Sequence, residues 1–367
     1  MSVPPDDAVS DDYFEARDRF CELATRAGIR PVSYRVRQNE QAGDLLTIDV
    51  AVGGSLDSDQ VMLVTSGVHG VEGFLGSAVQ ARLLADWTRD GFPQDVKVVL
   101  IHAVNPWGFA NLRRFDPQNR DLNRNFMVDD EPYSGAASLY PKLDSIINPV
   151  EPMSNVLFQL RAAWLIAIHS KTALRQAIAS GQYEFPQGLF FGGKGPAVQH
   201  ELIRRVLAEC LDAAGRVVHM DFHTGLGPWK SWVLLPSGQF TPRHRRWLTR
   251  LFDPSTVTED MGEKAYHPRG DFGNWCRHAV GGDYLYACAE FGTYSSTKVL
   301  KALSDENACH HLHLAGKIQT TDARYAGAKR RLKEAFFPES PDWRSYSVGE
   351  GVRIVHQCIQ QWNNNYE

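Results

Sequence analysis

The run Val61-Met62-Leu63-Val64-Thr65 is wholly apolar up to its last residue and breaks at once into Ser66-Gly67-Val68-His69-Gly70-Val71-Glu72-Gly73. A short apolar run bounded by glycine predicts a buried strand, and the helical spacing over residues 77–87 predicts a helix behind it. The pattern recurs. Val217-Val218-His219-Met220-Asp221-Phe222-His223 leads into Thr224-Gly225, and Tyr284-Leu285-Tyr286-Ala287-Cys288-Ala289-Glu290 leads into Phe291-Gly292. Further strands are expected at residues 45–52 and 96–102, and a further helix at 199–213. Apolar β-branched runs alternating with helices predict an α/β fold, a mixed, largely parallel twisted sheet with helices on both faces. In such a sheet the functional residues belong at the C-terminal edge of the strands.

That edge is where the chemically able residues fall. His69 and Glu72 stand three residues apart where strand gives way to helix, a step that turns both side chains toward one point. Zinc takes imidazole nitrogen and carboxylate oxygen together, and a catalytic site uses three protein ligands with the fourth position left to water. His223, at the end of another strand, is the expected third ligand. Glu290 brings a carboxylate to a third strand end, a costly place for an unpaired acid. Between these lie Asn105-Pro106-Trp107-Gly108, Arg113-Arg114-Phe115 and Asp121-Leu122-Asn123-Arg124-Asn125-Phe126. Fixed guanidinium groups beside such a centre suit both an anionic substrate group and a developing oxyanion. An isolated His-x-x-Glu pair is common by chance, and only the conjunction gives it weight.

In this order the motifs resemble the M14 zinc carboxypeptidases. Their wording is narrower still: His69-Gly70-Val71-Glu72-Gly73, Asp121 to Phe126, Asp221-Phe222-His223-Thr224-Gly225 and Ala289-Glu290-Phe291-Gly292-Thr293-Tyr294 resemble the DUF2817 branch, which is related to the succinylglutamate desuccinylase and aspartoacylase group. The resemblance implies one zinc ion per chain held by His69, Glu72 and His223, with Glu290 as general base. Arg114 becomes the carbonyl-polarising arginine, with Arg113 as the alternative. Asn123 and Arg124 become the grip on a substrate carboxylate, and Asp121 the carboxylate that orients His69. A mobile tyrosine of the carboxypeptidases has no aligned counterpart, and Tyr266, Tyr284 and Tyr294 are candidates.

The implied activity is hydrolysis of an amide bond next to a free carboxylate, of carboxypeptidase type, with metal-activated water and Glu290 moving the proton. The alternative is an N-acyl amino-acid deacylase. The expected partner is accordingly a peptide or an N-acyl amino acid.

Composition narrows the rest. The chain of 367 residues is 43% hydrophobic and 22% charged, with a net charge of −4 and a pI near 6.4, which speaks against a general nucleic-acid binder. The start, Met1-Ser2-Val3-Pro4-Pro5-Asp6-Asp7, lacks a secretory pattern, and the longest apolar stretch, residues 162–168, is too short to span a bilayer. A cytoplasmic location with no membrane or nucleic-acid partner is therefore expected. Six cysteines without Cys-x-x-Cys spacing are expected as reduced thiols.

One domain over residues 1–367 is expected, with an insertion at about 127–196 and a helical flank at about 296–367. Within the insertion a helical pattern runs from about 154 to 180. The basic runs Arg243 to Arg246 and Lys329 to Arg331 are expected as solvated helix faces, and His310, His311 and His313 as packed or solvated side chains. Phe191-Gly192-Gly193-Lys194-Gly195 lacks the hydroxyl residue of a phosphate loop and is expected as a tight turn.

Overall fold

A computed structural model describes residues 8–37, 45–238, 240–258 and 268–362. Seven strands form one sheet: β1 (Val32–Arg35), β2 (Thr47–Gly54), β3 (Gln60–Ser66), β4 (Lys97–His102), β5 (Arg216–Thr224), β6 (Trp232–Pro236) and β7 (Asp283–Phe291). Their order is β1-β2-β4-β3-β5-β7-β6. The central four strands are parallel to one another, and β1, β2 and β6 add antiparallel edges. The expected mixed, largely parallel sheet is thus present, with short antiparallel strands β1 and β6 that the apolar runs did not announce.

Alternation along the inner strands sorts their side chains to two faces. Met62, Val64, Val98, Leu100, Val218 and Met220 pack on one side. That side is covered by α1 (Tyr13–Arg26), α2 (Gly73–Asp90) and, further along the chain, the C-terminal helix Pro341–Gln360. Helix α2 lies between the sheet and the two others, which is why thirteen of its residues are buried and why it shows little amphipathic pattern. On the opposite face Val61, Leu63, Val99, Ile101 and Val217 meet the helices Val198–Leu211 and Phe272–Val280. The odd positions of β5 and the even positions of β7 point to this second face, so His219, Asp221, His223, Tyr284, Tyr286 and Glu290 share it.

The remaining helices are α3 (Pro106–Ala110), α4 (Tyr140–Ile147), α5 (Asn155–Ile168), α6 (Lys171–Ala179), α7 (Val198–Leu211), α8 (Pro242–Leu251), α9 (Phe272–Val280), α10 (Ser296–Leu314), α11 (Ala323–Phe336) and α12 (Pro341–Gln360). The helical pattern over 154–180 is two helices, not one. Ser170 adopts an extended backbone and caps α6 through its hydroxyl, which accepts from Ala173 N at 3.1 Å and stops α5 short. In the basic run of α8, His244 is buried on Asp283 at 2.9 Å while Arg245 and Arg246 face solvent. Lys329 departs from the expected solvated face: it is buried, with Nζ 2.6 Å from Glu306. No described helix is long and apolar enough to cross a membrane.

Candidate metal centre

Residues His69 to Gly73 need an unusual local path, and two glycines permit it. The chain leaves β3, keeps His69 extended at φ −94° and ψ 122°, and then makes a single 3-10 turn over Gly70–Glu72 before α2 begins. His69 is therefore placed just ahead of the helical turn, not on it. A Cβ on Gly70 would lie 2.1 Å from the carbonyl carbon of Gly108, so the first motif and Asn105-Pro106-Trp107-Gly108 interlock only as glycine on glycine. Asn105 ties the junction together: Oδ1 accepts from Gly108 N at 2.9 Å, and its own backbone N donates to Gly67 O at 2.7 Å.

The outcome is a compact triangle of donor atoms. His69 Nδ1 is 2.9 Å from Glu72 Oε1, His223 Nδ1 is 3.0 Å from Glu72 Oε2, and the two Nδ1 atoms are 3.2 Å apart. All three residues are buried. Ligands at ~2.0–2.1 Å around a tetrahedral zinc stand roughly 3.3 Å apart, close to these edges. Two imidazoles and a carboxylate are also a donor set that zinc accepts, so the residues fit the ion.

Electrostatics point the same way. Burial alone would lower the His223 pKa, yet the charges and hydrogen bonds of Asp221 and Glu72 hold it well above the ordinary imidazole value. Glu72 lies well below the ordinary carboxylate range: burial would raise it, but the charge of His69 and bonds from both histidines prevail. The centre thus favours positive charge, which a proton on His223 or a bound cation can supply.

Each histidine is backed by a carboxylate. His69 Nε2 is 3.1 Å from Asp121 Oδ1 and also 2.7 Å from Arg114 Nη2. These contacts belong to different tautomers. A proton on Nε2 donates to Asp121 and leaves the Nδ1 lone pair facing the centre; a proton on Nδ1 donates to Glu72 and lets Nε2 accept from Arg114.

His223 has a longer support. Its Nε2 is 2.7 Å from Asp221 Oδ2, and Asp221 Oδ1 accepts from Thr65 Oγ1 at 2.7 Å. Because the Thr65 proton is committed to Asp221, Thr65 Oγ1 must accept from His219 Nε2, 2.7 Å away. His219 Nδ1 then accepts from the Tyr284 hydroxyl at 2.8 Å, and Tyr286 donates to Asp221 Oδ2 at 3.1 Å. Burial keeps His219 neutral, with its pKa down to about 4, as that chain of donors requires. Sequence reading passed over Asp221 and Thr65, although period-two alternation in Asp221-Phe222-His223 places the acid and the histidine on one face.

Glu290 stands beside His223 in the parallel register of β5 and β7. Leu226 N donates to its Oε1 at 2.9 Å, and this contact depends on Gly225 and Gly227 at φ +113° and +121° turning the chain back over the strand end. Burial, reinforced by the charge of Glu72, raises its pKa to about 8. A buried carboxyl with a pKa near neutrality can take up and give back a proton.

The arginine pair divides. Arg114 donates to Glu72 Oε1 at 2.8 Å and to Asp121 Oδ2 at 2.9 Å, at the edge of the triangle. Arg113 turns away to Glu306 at 3.0 Å, Asn119 at 3.0 Å and Asn307 at 3.0 Å. Asn123 accepts from Phe272 N at 2.9 Å and so fixes the start of α9. Arg124 is buried, with Nε donating to Ala179 O at 2.7 Å and Nη1 to Asn123 O. Of the candidate tyrosines, Tyr284 is enclosed in the polar row, Tyr294 bonds Glu334, and Tyr266 lies outside the described residues. His310 is buried edge-on against Trp107, among the packed side chains that were expected.

The chain belongs to the DUF2817 family of proteins of unknown function, whose model matches residues 9–349. No curated protein matches the sequence. Among solved structures, a candidate metallopeptidase from Shewanella baltica OS155 is 16% identical, with 83% of this chain and 92% of that one covered at a TM-score of 0.44. Carboxypeptidase A from Helicoverpa armigera is 13% identical over 89% of this chain and 74% of the other, with a TM-score of 0.45. A candidate succinylglutamate desuccinylase/aspartoacylase from Shewanella frigidimarina NCIMB 400 is 18% identical over 79% and 72%, with a TM-score of 0.38.

Proposed function

We propose that this DUF2817 chain is a zinc-dependent hydrolase that cleaves an amide bond next to a free carboxylate, acting as a carboxypeptidase. The observation that carries the reading is the triangle of His69, Glu72 and His223 with Glu290 in register beside it. His69, Glu72 and His223 would hold the ion. When bound, zinc lowers the pKa of water toward about 7 and polarises a carbonyl.

The chain's own groups supply the rest. Glu290, held by Leu226 N, takes the proton from the attacking water and passes it to the leaving nitrogen. Arg114, steadied by Asp121, places positive charge beside the developing oxyanion, worth about 3–4 kcal/mol per donor in comparable sites. Asp121 and Asp221 fix the tautomers that turn both Nδ1 lone pairs inward. Arg124 with Asn123 would anchor the substrate carboxylate. The same apparatus would serve deacylation of an N-acyl amino acid, in which the anchored carboxylate belongs to the released amino acid.

The test is zinc-loaded protein incubated with a mixed library of peptides and N-acyl amino acids, read by mass spectrometry. Loss of single C-terminal residues is the expected result. Release of free acyl acids with peptides untouched replaces it by the deacylase reading, and no turnover of either class refutes both. For the anchor, matched substrates with free and amidated C-termini should show a preference for the free acid that collapses in Arg124→Ala by about 1–3 kcal/mol. An unchanged preference removes Arg124 from the role.

A further inference from the structure

Helix α5 is apolar on the side that faces away from the protein. Phe158 and Leu165 are its only buried residues. Val156 is 71% exposed, Leu160 64%, Trp164 58%, Ile168 54% and Leu157 42%. At about 100° per residue these five fall in one continuous arc roughly 120° wide, opposite Phe158 and Leu165. Single exposed apolar residues are ordinary, whereas a continuous stripe along a whole helix marks a surface that meets something. Among the described residues nothing covers it.

Charge identifies the occupant. The chain has 43 acidic residues in 367, so a stretch of 32 would carry about four on average; residues 152–183, which span α5 and α6, carry none. They do carry Arg161, Lys171 and Arg175. Lys171 is exposed at the start of α6, and Arg161 flanks the apolar arc. A second copy of this chain would bring the same cations to meet themselves across a two-fold axis, with no carboxylate of α5 or α6 to answer them. A single helix face ~21 Å long and ~10 Å wide also falls well short of the ~800 Å² per partner of a stable interface. An anionic lipid surface meets both conditions. Its acyl boundary accepts a stripe one helix wide with a tryptophan at its middle, and its phosphates accept the flanking cations.

We propose that α5 and the start of α6 form a docking face for an anionic membrane surface, with Leu157, Leu160, Trp164 and Ile168 entering the headgroup boundary and Arg161 and Lys171 meeting lipid phosphates. The helix lies in the surface and does not cross it. The docking face is independent of the reaction proposed above.

The experiment is sedimentation of the full chain with vesicles of phosphatidylcholine alone and of phosphatidylcholine mixed with phosphatidylglycerol. Binding to the mixed vesicles should exceed binding to the neutral ones at least tenfold and should weaken as salt is raised. The double variant Leu160→Glu/Trp164→Glu changes only exposed positions, so it should keep the wild-type thermal midpoint while losing vesicle binding at least tenfold. Arg161→Gln and Lys171→Gln should each weaken binding to the mixed vesicles about fivefold. No binding to either vesicle, or equal binding by the double variant, overturns the proposal. Light scattering that shows a dimer dissolved by Leu160→Glu assigns the face to a second copy instead, and also overturns it.

Discussion

Arg113 and Arg114 are neighbours in the chain and enter two different worlds. Arg113 meets Glu306, which is also met by Lys329, and two side-chain carbonyls accept from its Nη2. Two cations there meet one anion. Around Arg114 the balance is reversed. Glu72, Asp121, Asp221 and Glu290 converge with two imidazoles whose Nδ1 atoms face each other. The first cluster carries one more cation than anion, leaves Arg113 Nη1 buried without a hydrogen-bond partner, and ties α10 and α11 to the residues behind the centre. The second carries a surplus of negative charge and lone pairs, which raises the His223 pKa against burial and adds to the burial that raises the Glu290 pKa. An ion-paired cluster that ties helices together is structural, and one with surplus negative charge is poised to bind a cation or move a proton.

The largest effects should break the cluster with surplus negative charge. Wild-type protein is expected to carry about one zinc per chain, and His69→Ala and His223→Ala should each lose the metal and all measurable turnover. Elemental analysis showing full zinc in either variant removes that residue from the ligand set. Glu290→Gln keeps shape but not basicity, so it should retain zinc while turnover falls about 10²–10⁴-fold. Near-normal turnover would place the base elsewhere.

Arg113→Met tests the cluster around Glu306 and should sharpen the contrast. It takes one of two cations from buried Glu306 and leaves Lys329 to hold it, at a cost of about 1–3 kcal/mol in urea unfolding, while zinc content stays at the wild-type level. Loss of zinc without loss of stability would invert the two roles. A smaller effect is expected of Asp221→Asn, which leaves the fold intact but no longer fixes the His223 tautomer. Zinc affinity, measured by competition with a chelator, should fall about 10–100-fold. Unaltered affinity would make the polar row behind His223 purely structural.

The smallest effect is a pH dependence. In metal-free protein, folding raises the Glu290 pKa from the ordinary 4.5 to about 8, so the folded state holds its proton more tightly than the unfolded state. Stability is then unaffected below the unfolded value and declines as pH rises toward 8. Glu290→Gln removes that decline. Its thermal midpoint should match wild type near pH 4 and exceed it by several degrees at pH 8, and a gap that is constant with pH would show that Glu290 does not titrate there.

Much of the architecture was legible because it depends on short-range pattern. Short, mainly apolar runs bounded by glycine, such as 61–66 and 217–224, mark buried strands in a layered sheet and the points where the chain leaves it. What lacked such a signature was missed. Strands β1 and β6 are short edges with mixed burial, and α5 with α6 read as one helix because Ser170 acts through a capping bond that helical periodicity does not register. Length alone excludes the apolar stretch at 162–168 from spanning a bilayer. That criterion is blind to a helix that lies flat on one.

The sequence by itself determined the inner strands of the sheet, its two covered faces and the position of His69, Glu72, His223 and Glu290 at or just beyond strand ends, since alternation and glycine breaks are properties of neighbours along the chain. Tertiary structure alone decided which arginine faces the centre, that Asp221 and Thr65 stand behind His223, and that one face of α5 remains bare. Those outcomes depend on which elements come to lie beside one another, on the burial that fixes each charge balance, and on contacts between residues as far as 194 positions apart.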